Sequence, residues 1–128
     1  MHQYDPKKKP KPGEWLALDE AERIVMAERY HSRHGDFGES LSMHSTIHSI
    51  VETQLAEKVP AVKTAFKRLR RQGLNRHDTI HAIGSVLAEQ VWEIMAGTPA
   101  SEDANDDYFA ALESLTAESW YEKYDEDA

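Results

Sequence analysis

The sequence predicts an all-α protein, a single-domain compact bundle of four to six helices. Three observations lead there. Apolar residues recur at helical spacing, as in Met43, Ile47, Ile50, Val51 and Leu55. Residues that start or stop helices stand between such stretches, among them Pro60, Gly73, Asn75 and Gly97. No alternating apolar-polar run and no Asn-Gly or Asp-Gly turn supports a hairpin. A chain of 128 residues is close to the usual size of one domain and long enough to bury a core without disulfides, of which the cysteine-free sequence has none.

Residues 1–13 hold Lys7-Lys8-Lys9-Pro10-Lys11-Pro12-Gly13, where repelling charge and helix-breaking prolines favour a flexible, solvated lead-in. The single helical domain then spans residues 14–128. Asp19 followed by Glu22 forms a capping box that opens a helix to about Arg33, stopped by Gly35, with Trp15 and Leu16 packing back onto it. A second helix runs from about Ser42 to Glu57. The third begins at Pro60, a good first-turn residue, and ends at Gly73, a left-handed cap. Val62, Ala65, Phe66 and Leu69 are its inner face, opposite a basic side of Lys63, Lys67, Arg68, Arg70 and Arg71. The fourth is capped by Asn75, reaches about Met95 and should bury Ile80, Ile83, Leu87, Val91 and Ile94. After a loop of small, acidic and proline residues, Tyr108, Phe109, Leu112 and Leu115 mark a fifth helix. Trp120, Tyr121 and Tyr124 mark a last short one, starting at Thr116.

The net charge of −8 is unevenly placed. Residues 1–100 carry 14 bases and 13 acids, whereas the acidic C-terminal segment 101–128 carries one base and ten acids. A near-neutral body with an acidic end argues against a nucleic-acid partner, and the basic side of the third helix reads as a solvated face because no aromatics interleave it. No apolar run approaches a membrane span and the start lacks a signal-peptide core, so a soluble cytoplasmic protein without a membrane partner is expected. Glycine-rich phosphate loops and nucleophile elbows are absent.

The chemistry lies in the histidines. Of seven, four form two pairs spaced by four, His44 with His48 and His77 with His81, and Glu52 extends the first series by another turn. Residues four apart share a helix face, so each pair offers two imidazole nitrogens to one point. If the two helices pack antiparallel, all four imidazoles could converge. Glu28 and His31 add a Glu-x-x-His unit on the inner face of the first helix. A carboxylate-bridged di-iron centre needs two such units, and only one is present. The candidate metal ligands are therefore His44, His48, His77, His81 and Glu52, with Glu28 and His31 as further partners. Zinc, iron and manganese all accept imidazole and carboxylate donors. An open coordination position would let the metal activate water, but no substrate or reaction follows from the residues.

A competing account makes these histidines a hydrogen-bonded polar core in a non-enzymatic interaction or regulatory module, with a homo-oligomer compatible with either. In that account His77 or Asp78 helps cap a helix start, and His31 and His34 complement the dipole at a helix end. Glu89 points away from the second pair and reads as exposed or salt-bridged.

The combination of Leu41-Ser42-Met43-His44, His48, Glu52 and Gln54-Leu55 with His77-Asp78, His81-Ala82, Leu87, Glu89 and Trp92-Glu93 resembles an uncharacterised bacterial family, domain of unknown function 1841. The resemblance covers roughly residues 41–95, with a weaker echo at Tyr108 to Leu115. It implies a small helical protein and supplies no reaction. Gly84-Ser85-Val86 replaces a Met-Glu-Cys-like stretch expected from it, so a family role that needs a cysteine there has no residue to serve it.

Overall fold

A computed structural model describes residues 3–34, 41–97 and 104–125. The expected stop at Gly35 and the loop through residues 98–103 lie outside the described residues, as do the side chains of His34 and Tyr124. Among the described residues there are seven helices and no strand: α1 (Pro12–Ala17), α2 (Glu20–His34), α3 (Leu41–Ala56), α4 (Pro60–Arg71), α5 (Arg76–Met95), α6 (Ala104–Ser114) and α7 (Ala117–Asp125). The all-α class is as the pattern predicts. The helices group into two compact units, residues 1–59 and 60–128.

In the first unit, α1 is the helix that takes the count past six. Pro12 fixes its first turn and Trp15, fully buried, anchors it by donating from Nε1 to Thr53 Oγ1 at 3.1 Å. Its last carbonyls are met by Arg23, which donates to Trp15 O and Leu16 O at 3.1 Å each. The α2 capping box forms reciprocally: Glu22 N–H donates to Asp19 Oδ1 at 2.8 Å and Asp19 N–H to Glu22 Oε1 at 3.1 Å. α2 then packs along α3, and α1 also meets α3.

The lead-in differs from the expectation. Lys7, Lys8 and Lys9 are exposed, yet Tyr4 is 1 % exposed and belongs to the core of this unit with Trp15, Met26, Ala27 and Tyr30. A buried aromatic holds the segment that charge alone would leave solvated.

α3 buries a face more polar than its apolar stripe suggests. Ile47 and Val51 are buried, but Met43 is exposed and Ile50 and Leu55 are half-buried, while Ser45, His48, Ser49 and Glu52 go inside. The helix ends in a Schellman motif with Lys58 left-handed at φ 59°, Val59 N–H donating to Gln54 O and Lys58 N–H to Leu55 O.

In the second unit α4, α5 and α6 contact one another pairwise. Val62, Ala65 and Leu69 are buried and Phe66 half-buried, as its spacing predicts. Gly73, at φ 102°, closes α4, with Leu74 N–H donating to Leu69 O and Gly73 N–H to Arg70 O. Asn75 then caps α5 by accepting from Asp78 N–H at 2.8 Å.

Burial along α5 stops sooner than expected. Ile80 and Ile83 are buried, Leu87 and Val91 only half-buried, and Ile94 is exposed beside Trp92 and Met95. The 20 residues of α5 rise about 30 Å, whereas the 12 of α4 and 11 of α6 rise about 18 Å and 16 Å at 1.5 Å per residue. Neither partner is long enough to cover its full length.

The acidic segment folds as part of this unit. Tyr108, Leu112 and Leu115 are buried, and Thr116 opens α7 through reciprocal bonds with Ser119 at 3.0 Å. Its docking uses backbone more than charge. Arg68, expected on the solvated basic side, turns its guanidinium to the carbonyls of Leu112 and Leu115, and Gln72 Oε1 accepts from Ala117 N–H at 2.7 Å. Lys123 pairs with Glu89 at the surface.

Candidate metal centre

Two helices of the first unit build a cluster of imidazoles. α3 presents His44 and His48 one turn apart, and α2 supplies His31, four residues after Ala27. Ring centroids lie 4.4 Å apart for His31 and His44, 4.4 Å for His31 and His48, and 4.9 Å for His44 and His48. His31 and His48 are 0 % and 2 % exposed, so water is excluded from both. One nitrogen from each of the three lies within 4.8 Å of the others. A tetrahedral zinc ion with Zn–N bonds near 2.0–2.1 Å sets its donors roughly 3.3 Å apart, so side-chain rotations closing at most about 1.5 Å would let the three nitrogens fill three of its four positions.

The other ring nitrogens are held from outside the cluster. His31 Nδ1 donates to the Ala27 carbonyl at 2.8 Å, one turn back along α2. Because a carbonyl only accepts, this bond puts the proton on Nδ1 and the lone pair on the buried Nε2. His48 Nδ1 meets the Tyr4 hydroxyl at 3.1 Å, and that hydroxyl donates to Glu52 Oε2 at 2.6 Å. Glu52 is 2 % exposed.

His44 and His48 come together as their spacing requires, and His31 joins them at the centre although the sequence marks it only as a further partner. Glu52 is buried on the same helix but binds Tyr4, one bond further out. Glu28 is half-buried on α2 and is not one of the gathered donors. His77 and His81 stand side by side on α5 in the second unit, ring centroids 4.3 Å apart, His77 buried and His81 half-buried. Asn75, not His77 or the Asp78 carboxylate, accepts the capping bond there. Glu89 is partly exposed and paired with Lys123, in keeping with its predicted direction.

Tyr4 is the residue that sequence reasoning passes over. It is the lone aromatic before Trp15, and its position ahead of a lysine run disguises it. Nothing local shows that it reaches a histidine 44 residues on.

Compared with family models, curated proteins and solved structures, the chain matches none. The functional reading rests on the geometry.

Proposed function

We propose that this protein binds a divalent transition-metal ion through the imidazoles of His31 and His48, which are buried, and of His44, which is half-buried. The observation that supports it is the gathering of three imidazoles with ring centroids 4.4–4.9 Å apart, two of them buried, with His31 Nδ1 already donating outward. Imidazole nitrogens gathered this closely offer a cation several donors at one point, and imidazole is a good ligand for such ions. An all-nitrogen donor set favours zinc or iron over manganese, which prefers carboxylate oxygen. A polar core without metal is the competing account.

The test is elemental analysis of untagged protein purified without chelator, before and after incubation with zinc, iron(II) or manganese(II). Near-stoichiometric metal, lowered by His31→Ala and by His48→Ala, is the expected result. Folded protein that stays metal-free in all three sinks the reading. His77→Ala and His81→Ala in the same series assign the second pair.

A second reading, self-association, is favoured by one observation. Trp92 and Met95 on α5 are 73 % and 75 % exposed, unusual for residues of that size, with Ile94 and Tyr121 also exposed in the same unit. Light scattering at two concentrations should show a dimer that Trp92→Glu dissociates; a monomer at both excludes it.

A further inference from the structure

We infer that Tyr4 is a positioning residue for the imidazole cluster, setting the tautomer of His48 through a bond fixed by Glu52. The tyrosine hydroxyl has a single proton. It is given to Glu52 Oε2 at 2.6 Å, a length typical of a hydroxyl donating to a carboxylate. Toward His48 the same oxygen is therefore an acceptor, and the 3.1 Å contact requires the proton on Nδ1. Nε2 then carries the lone pair, the form in which it can bind a metal. His31 reaches the same tautomer by another route, through the Ala27 carbonyl.

The geometry makes the Tyr4 contact specific. Its ring sits at 5.5 Å from Trp15 and edge-on at 6.2 Å from Tyr30, so a hydroxyl brought from the N-terminal segment is held in place from two sides. Glu52, one turn beyond His48 on α3, decides which way the hydroxyl points. Metal ligands held by such outer bonds typically lose 10–100-fold in affinity when the bond is removed.

The consequence for affinity rests on the metal reading above, whereas the tautomer is a property of the metal-free chain. The experiment uses both. Nitrogen-15 NMR of the full metal-free chain should show His48 protonated at Nδ1. In Tyr4→Phe that preference should be lost, and zinc affinity, measured by competition with a chromophoric chelator, should fall 10–100-fold. Glu52→Met gives a sharper result, and serves if Tyr4→Phe does not fold. With no carboxylate to take its proton, Tyr4 should donate to His48 Nδ1 and drive the proton to Nε2, reversing the tautomer. His48 protonated at Nε2 in the unmodified chain, or an unchanged tautomer in the folded variants, overturns the proposal. If the unmodified chain binds no zinc, the metal reading falls, and the tautomer shifts still decide the role of Tyr4.

Discussion

Removing one oxygen atom from Tyr4 should destabilise the first unit well beyond what its size suggests. In Tyr4→Phe the ring stays in its pocket against Trp15 and Tyr30, so the packing loss is small. What changes is polar. Glu52, 2 % exposed, loses the donor at 2.6 Å, and His48, equally buried, loses the acceptor for its Nδ1 proton. Leaving a buried polar group without its partner costs about 1–3 kcal/mol, more when the group is charged, so a total of roughly 2–4 kcal/mol follows if the two effects partly overlap. At a urea dependence of about 2 kcal/mol per molar, the midpoint should fall by roughly 1–2 M. Equilibrium urea unfolding is the assay, followed by circular dichroism and by tryptophan fluorescence in a Trp92→Phe, Trp120→Phe background, which leaves Trp15, fully buried in the same cluster, as the reporter. A midpoint within 0.2 M of the unmodified protein, an allowance of roughly 0.4 kcal/mol at that slope, would refute the reasoning. It would mean that the Tyr4 bonds are no stronger than those the same groups make with water.

Other consequences are independent of the histidines. Lys58 occupies the left-handed region at φ 59°, which costs a side-chain-bearing residue about 1–2 kcal/mol, so Lys58→Gly should raise the thermal midpoint after the entropy cost of glycine is deducted, whereas Gly73→Ala, at φ 102°, should lower it; shifts of the same sign would contradict the cap assignments. Arg68→Met removes the donor to two carbonyls and should destabilise the second unit by about 1.5–3 kcal/mol, with Arg68→Lys a poor rescue because a single ammonium lacks the guanidinium fork; protection of residues 104–125 from limited proteolysis equal to that of the unmodified chain would argue against it. Burial pushes the Tyr108 phenol above its ordinary range. A group whose pKa is higher folded than unfolded contributes stability that is full below the unfolded value, about 10, and is lost as pH rises toward the folded one. Alkaline stability should therefore fall more steeply in the unmodified protein than in Tyr108→Phe, and parallel curves would contradict the assignment.

What could be read from the sequence is what depends on neighbours in the chain. The Asp19–Glu22 box, the Gly73 cap, the Asn75 cap and the start of α7 at Thr116 each involve residues within a turn or so of one another, and each forms as expected. The inner face of α4 follows from spacing for the same reason. Partner choice across the fold does not. Arg68 looks solvent-facing on its own helix, yet it reaches carbonyls 44 and 47 residues away. The half-covered length of α5 depends on how short α4 and α6 are, which no periodicity within α5 encodes. At the candidate site, the His44–His48 pair was legible because a helix fixes its spacing. His31 was visible only as half of a Glu-x-x-His unit, and its place at the centre comes from the packing of α2 on α3. Tyr4 lay beyond reach because the charge and proline around it describe a solvated segment, and one buried aromatic outweighs them.

The central claim, that imidazoles of the first unit hold a metal ion, is tested most directly by X-ray absorption at the zinc edge on the full chain, loaded with one equivalent of zinc and desalted. The account predicts retained zinc with nitrogen neighbours at about 2.0 Å and the outer scattering of imidazole rings, weakened in His31→Ala and His48→Ala. Zinc lost on desalting, or retained with an oxygen-only shell that neither variant alters, would contradict it.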